Sequence, residues 1–436
     1  MECFSSFFVS RTRDATETFC GYMRGLFQSE RANMLRMSEV NAVDHQAMQH
    51  MLTEGAVNWN GLTARIAVET DAVLGGATSV LIFDESAFAK KGNASAGVAR
   101  QWNGRLGKVD NCQVGVFATL CRGEMASLID ARLYLPKAWT EDEERCRKAA
   151  IPEADREEHH SKSELVLEMA ETAISRGVRF GYIAVDGGYG KEPACLRGLD
   201  RLGCRFVADV HCDQTIYLDD PDPQVPAWSG RGKRPVHLKA QSPSMRVDQW
   251  AAQQPPEAWQ QLTLRGGEKG PLVAEYLHAR VWVWDGQETR ARCWHLLVRR
   301  EVGADEVSHY CLSNAPAHVT WPELARVQAQ RFFIEHSFRE AKQECGLADY
   351  QVRRWDAWHH HMALVMLGTL FLVKQKIEGR NQWPMLSFND LVTALAHLLP
   401  RRQLTAEELA DIINKRHRLR RQAKKSHARR SMAALE

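Results

Sequence analysis

Residues 79–84 read SVLIFD, and residues 180–186 read FGYIAVD. Each is a short apolar, β-branched run that stops at an aspartate, the pattern of a buried strand with a carboxylate at its end. Aspartate favours turns, so either residue alone is ordinary strand punctuation. Two such ends in one sheet mean more, because neighbouring strands would aim Asp84 and Asp186 at one point. Outward from the first run comes a long loop, 87–111, and then two strand-like runs, Cys112–Leu120 and Leu128–Leu135, joined through a polar turn at 122–124. Outward from the second run, an amphipathic helix over Ser163–Ser175 precedes it, and a helix over Pro193–Leu202 and a strand over Arg205–Val210 follow.

The resulting order, β, β, β, α, β, α, β, is that of the ribonuclease-H-like α/β fold, a mixed sheet with helices on its faces. Its first and fourth strands are neighbours, which sets Asp84 beside Asp186. Around this core the periodicity divides the chain. Residues 1–75 read as a helical N-terminal domain, and 76–215 form the first part of this core. Residues 216–320, in which Asp219–Pro226 and Pro243–Pro256 are rich in Pro, Asp, Gln and Ser, hold strands at His278–Trp284, Trp294–Arg299 and Val307–Leu312 and read as a β-rich insertion. The core resumes over 321–385, with helices at Glu323–Cys345 and Trp355–Lys376, and 386–436 form a helical basic tail.

Composition excludes several classes. With 436 residues, 44% hydrophobic and 25% charged, the chain is neither disordered nor fibrous. Its longest apolar run, Met362–Val373, has 12 residues, short of the roughly 20 that span a bilayer. The N-terminus lacks the pattern of a secretory signal, so a cytoplasmic protein with no membrane partner is expected. Eleven cysteines are scattered without a CxxC pair and read as reduced thiols. The net charge of +3 is uneven: residues 401–436 hold 11 basic and 4 acidic residues, leaving 46 basic against 50 acidic elsewhere. Nine of the basic residues fall in Lys415–Arg430, among them Arg418, Arg420, Arg421, Lys424 and Lys425. Such a run is usually solvated and often disordered, and in a nucleic-acid enzyme it neutralises phosphates.

Two divalent ions acting at phosphorus need a third carboxylate. Glu335 supplies one, in the helical segment QAQRFFIEHSFREAKQECGL, where Arg331, Glu335 and Lys342 share a face and Arg339 lies on an adjacent turn. Composition alone would also fit a solvated helix laced by ion pairs. Glu85 points to the sheet face opposite Asp84. His359-His360-His361 splay by about 100° each on a helix and cannot share an ion, so they fit a face near DNA or the core. Lys90, Lys91, Arg100, Arg105 and Lys108 fall in the loop beside Asp84 and are candidates for phosphate contact. Trp259, Trp282, Trp284 and Trp294 read as core of the insertion, with reception of an unstacked base as the alternative.

The Glu335 segment resembles the signature helix of bacterial insertion-sequence transposases of the DDE type, the IS4-like superfamily, in which Tyr, Arg, Glu and Lys are set at fixed spacing. Arg331, Glu335 and Lys342 fit, and the Tyr position falls on Gln328. The IS701 branch is closer still, through DESAFAKKG, GVARQWNGRLGKVDNCQVGV, RLYLPKAW, DGGYG, WHLLVRRE, YCLSNAP and YQVRRWDAWHHHM in family order. This resemblance implies a ribonuclease-H-like catalytic domain of the retroviral-integrase superfamily, interrupted by an insertion. It further implies Asp84, Asp186 and Glu335 as catalytic metal ligands holding two Mg²⁺, with Mn²⁺ able to substitute. The substrates would be double-stranded DNA, namely insertion-sequence ends and a target, and the protein would be a nucleoid-associated bacterial enzyme. Arg331, Arg339, Lys342, Lys90, Lys91, Arg100, Lys108 and the tail would bind the DNA. Joining two ends to one target requires a homodimer in the synaptic complex. Two alternatives remain: a nuclease of the same fold without strand transfer, and a domesticated DNA-binding protein that has lost catalysis.

Overall fold

The computed structural model of the protein describes residues 2–55, 57–266 and 270–433. One mixed sheet holds the strands β1 (Val80–Ala89), β2 (Ala99–Asn103), β3 (Lys108–Arg122), β4 (Met125–Leu133), β5 (Tyr182–Val185), β6 (Phe206–Val210), β7 (Thr215–Tyr217), β8 (Ser244–Arg246), β9 (Gln260–Arg265), β10 (Leu272–Val283), β11 (Arg292–Glu301) and β12 (Val307–Ser313). Their order is β2-β3-β1-β5-β6-β12-β11-β10-β7-β8, with β4 on the second half of β3 and β9 on β10. β1, β5 and β6 run parallel; β3 and β12 join them antiparallel on either side. Every residue of β5 and β6 is buried, as are the first four of β1, which is why these segments read as continuous apolar runs and not as alternation.

Three details depart from the sequence reading. β1 does not stop at Asp84 but runs to Ala89, because β3 is long enough to pair with its whole length, down to Ala89 opposite Cys112. Residues 87–89, 99–103 and 108–111 of the expected loop 87–111 are strand, and β2 and β3 close a hairpin around 104–107. The helical stretch Glu323–Cys345 is two helices, Trp321–Gln330 and Phe332–Glu344, hinged at Arg331 by tighter i to i−3 bonds from Arg331 to Gln328 and from Ile334 to Arg331. The strands expected in 216–320 are present as β10, β11 and β12, and they extend the same sheet through β12 on β6.

The helices Trp59–Leu74, Phe332–Glu344 and Trp355–Gly379 pack on β1, β3 and β4. The N-terminal helices Thr16–Gln28 and His45–Thr53 rest on Trp355–Gly379, where the buried Tyr22 hydroxyl lies 2.7 Å from His361 Nδ1. The helix Lys162–Ser175 starts with a capping box between Ser161 and Glu164 and ends before Gly177, whose φ of +74° favours glycine. The basic tail is ordered, as the helix Ala406–Ala433, fastened to the N-terminal helices where Arg416 Nε donates to Glu39 at 3.0 Å. Among the described residues no helix is long and apolar enough to cross a membrane, and the described cysteines are free thiols.

Candidate active site

Register brings the two aspartates together. Phe83 of β1 pairs with Val185, the last residue of β5, so Asp84 and Asp186 follow on adjacent parallel strands. Beyond that level β5 turns away and β1 continues against β3 alone. Asp186 caps the turn that follows, its Oδ1 accepting from the backbone N–H of Gly188 at 3.0 Å and of Tyr189 at 3.3 Å. The turn is pressed against β6: a Cβ on Gly190 would lie 1.9 Å from the carbonyl oxygen of Asp209. That close approach explains the last glycine of DGGYG.

Glu335 arrives from above. Phe117 is the β3 residue opposite Asp84, and opposed antiparallel residues share a sheet face. Phe338 packs edge-on against Phe117, with ring centroids 5.2 Å apart, so the helix Phe332–Glu344 covers the face toward which Asp84 points. Glu85 takes the other face and meets Lys162 Nζ at 2.5 Å, as strand alternation requires.

One guanidinium stands among the carboxylates. Arg331 Nη1 lies 3.9 Å from Asp84 Oδ2 and 3.8 Å from Glu335 Oε1, which bounds the separation of those oxygens at 7.7 Å. The Nε of the same guanidinium donates to Asp209 Oδ2 at 2.9 Å. Burial pushes the Asp84 carboxyl up to about 7, the charge on Asp186 adds to the rise, and Arg331 only partly offsets it. Burial acts on Asp209 in the same direction, but His309, Arg331 and Gln328 outweigh it and hold this carboxyl below its ordinary value. The side chain of Glu335 is 60% exposed, against 14% for Asp84.

These donors suit a hard divalent cation. They are all carboxylate oxygens, and burial, with the Asp186 charge adding to it, holds Asp84 against ionisation, a cost that a nearby cation offsets. Among the described residues no three His, Cys, Asp or Glu side chains are gathered closely enough to ligate one ion in this conformation.

The remaining candidates lie at varied distances from this centre. Lys342 is half-buried, 5.9 Å and 5.8 Å from the rings of Phe88 and Phe338. Burial and Arg105 pull its pKa down, while Asp84 pulls it up, so the hairpin residue Arg105 reaches the same neighbourhood. Arg339, Lys91, Arg100 and Lys108 are exposed. Lys90 is held 3.6 Å above the ring of Tyr350, and burial lowers it to about 8. Arg418, Arg420, Arg421, Lys424 and Lys425 are exposed along the tail helix, remote in sequence and open to solvent. Of the four tryptophans, Trp294 packs edge-on against Phe206, Trp259 lies 4.0 Å under the Arg300 guanidinium, and Trp284 Nε1 donates to the Glu288 carbonyl. Trp282 sits opposite Cys293 in the sheet.

Asp209 was not evident as a site residue. Its signal was present in FVADV, a third apolar strand carrying an aspartate near its end, but nothing local separates it from strand punctuation. His309 was hidden in the same way, since only the pairing of β12 with β6 brings it to Asp209.

A large mixed α/β sheet with helices on it, and with Asp84 and Asp186 following on adjacent parallel strands, is consistent with a nuclease domain. The profile of the family described as DDE superfamily endonuclease matches residues 3–271, and the chain belongs to that family. The match includes Asp84 and Asp186. Over 331 residues the chain is 21% identical to a protein of Microchaete diplosiphon described as "Probable transposase for insertion sequence element IS701", covering 75% of this chain and 74% of that one.

Proposed function

We propose that this DDE endonuclease is a transposase that cleaves DNA at the ends of an insertion sequence and transfers the resulting 3′-OH into target DNA. The observation that carries the reading is the placement of Asp186 beside Asp84 by the Phe83–Val185 pairing, with Asp84 and Glu335 both within 4 Å of the Arg331 guanidinium. The ribonuclease-H-like assignment is supported by the order β4-β3-β1-β5-β6, with β1, β5 and β6 parallel. In this reading the helices before residue 76 and the basic tail flank the core as DNA-holding parts, and 216–320 is an insertion that lengthens the sheet.

Asp84, Asp186 and Glu335 would hold two Mg²⁺ ions, with Mn²⁺ as a substitute. Bound divalent ions supply charge stabilisation at the scissile phosphate and lower the pKa of the attacking hydroxyl. The chain's own residues do the rest. The turn capped by Asp186 and the helix docked through Phe338 fix the carboxylates on rigid elements. Arg339 and Lys342 on that helix, with Arg100 and Lys108 on the β2–β3 hairpin, face the DNA phosphates and orient the strand. The exposed tail cations add sequence-independent attraction. The substrate is double-stranded DNA, which places the protein at the nucleoid, and two ends sharing one target call for a homodimer during synapsis.

The test is a reaction of purified protein with its element ends, a supplied target duplex and Mg²⁺. Joined end–target products are expected. Cut ends without joining would leave the nuclease-only reading, and no metal-dependent nicking at all would leave a DNA-binding protein without catalysis.

A further inference from the structure

We propose that Asp209 is a positioning residue of this centre: it holds the Arg331 guanidinium back from Asp84 and Glu335, so that their oxygens stay free for a divalent cation. The inference rests on the reading of those carboxylates as ligands.

Asp209 is 7% exposed, and a carboxylate so buried is tolerated only when it is fully paired. Two donors and a nearby imidazole meet it from two directions. Gln328 Nε2 donates to its Oδ1 at 3.1 Å, Arg331 Nε donates to its Oδ2 at 2.9 Å, and His309 Nδ1 of β12 lies 3.6 Å away. Gln328 and Arg331 flank the hinge between the two helices, so Asp209 ties that hinge to β6, beside the turn that Gly190 lets approach. Glu335 begins the next turn of helix. The anchor thus sets both where Arg331 reaches and where Glu335 starts.

The distances show which partner owns the guanidinium. Its bond to Asp209 is about 1 Å shorter than its approaches to Asp84 and Glu335, which at 3.9 Å and 3.8 Å are beyond hydrogen-bonding range. Without the Asp209 charge, nothing opposes the attraction of Arg331 to the two ligand carboxylates. An arginine fork pairs readily with carboxylates, and once paired it competes with the cation.

The experiment is a Mn²⁺ binding isotherm on the full chain without DNA, followed by the electron paramagnetic resonance signal of free Mn²⁺. Asp209→Asn is expected to weaken binding about tenfold or more, the usual range for a group that orients metal ligands. Asp209→Glu, which keeps the charge, should stay within about threefold. Asp209→Asn combined with Arg331→Gln should recover most of the lost affinity, since no guanidinium remains to collapse inward. A merely structural Asp209 would instead make the double variant bind worse than either single one. Wild-type affinity in Asp209→Asn, or no recovery in the double variant, overturns the inference. Should Asp209→Asn not fold, Arg331→Gln and the double variant carry the test: they must bind Mn²⁺ alike, and a tenfold gap refutes the claim that Asp209 acts through Arg331. Asp84→Asn in the same series separates the two readings. If it leaves Mn²⁺ binding intact, the ligand assignment itself has failed.

Discussion

Asp84, Asp186 and Glu335 are scattered over the chain, yet Asp186 and Glu335 both come near enough to act on the Asp84 charge, whereas His359, His360 and His361 are adjacent in sequence and end in three different places. His359 Nδ1 lies 2.9 Å from the Trp355 carbonyl, His360 stacks on Trp59 with its Nδ1 2.6 Å from the Leu52 carbonyl, and His361 is buried against Tyr22. The difference is one of period. A helix fans neighbouring residues around its axis, while parallel strands in register bring distant residues to one level. Convergence is therefore a property of register, and a run of like residues on a helix is evidence against a shared ligand.

The comparison is broken most sharply at Asp186. Asp186→Asn keeps the acceptor that caps the Gly187–Gly190 turn but removes the charge. It should lower cleavage by about 1,000-fold or more, the scale of several kcal/mol of lost transition-state stabilisation, with end binding and thermal stability near wild type. Asp186→Ala should lose the same activity and also melt earlier. Measured cleavage, gel-shift affinity and Tm of the two variants decide the matter; an active Asp186→Asn would remove this residue from the centre.

A smaller effect tests whether an exposed charge cluster differs in kind from a buried one. Truncation before Arg418 keeps Arg416 on Glu39 and deletes the free cations. Affinity for cognate and unrelated DNA should fall together, by about 10- to 100-fold at moderate salt, and the plot of log affinity against log salt should flatten by about 0.9 for each phosphate that is no longer neutralised. An unchanged slope would mean that the tail does not touch DNA.

The histidines should matter least to catalysis and only to stability. Burial holds His361 down to about 3 and His359 down to about 4, against about 6.5 in an unfolded chain. Both are neutral when folded, so their contribution is complete above pH 6.5 and is lost as pH falls toward 4, because the unfolded chain takes up protons first. Over that window His361 alone should cost on the order of 3 kcal/mol. His361→Leu should flatten the fall of Tm between pH 6.5 and 4 while leaving the metal dependence of cleavage unchanged. An equally steep fall would show that other groups govern acid stability.

The legible part of the molecule was what lies in strong local patterns. SVLIFD and FGYIAVD located β1, β5 and both aspartates, because strands buried on both faces are apolar throughout. The extension of β1 to Ala89 was not legible, since AFAKKG looks like a loop until the long partner β3 is known. The break at Arg331 was also hidden: RFFIEHSF keeps helical periodicity, and the hinge comes from ties to Asp209, 122 residues away in sequence. The helix expected in the tail starts where A-E-E-L-A-D-I-I-N-K supplies good helix formers with acidic residues in the first turn.

The central claim is that Glu335 completes a centre with the two strand aspartates, and its neighbour on the same helix provides the control. Glu340 is paired with His336 at 3.1 Å and with Lys376 at 3.7 Å, away from Asp84. Both Glu→Gln changes remove one charge from one helix. In a Mg²⁺ cleavage assay corrected for folded protein, Glu335→Gln should abolish cutting while binding element ends as tightly as wild type or more so, and Glu340→Gln should cut at nearly the wild-type rate with a lower Tm. Normal cutting by Glu335→Gln, or an inactive but folded Glu340→Gln, would contradict the assignment.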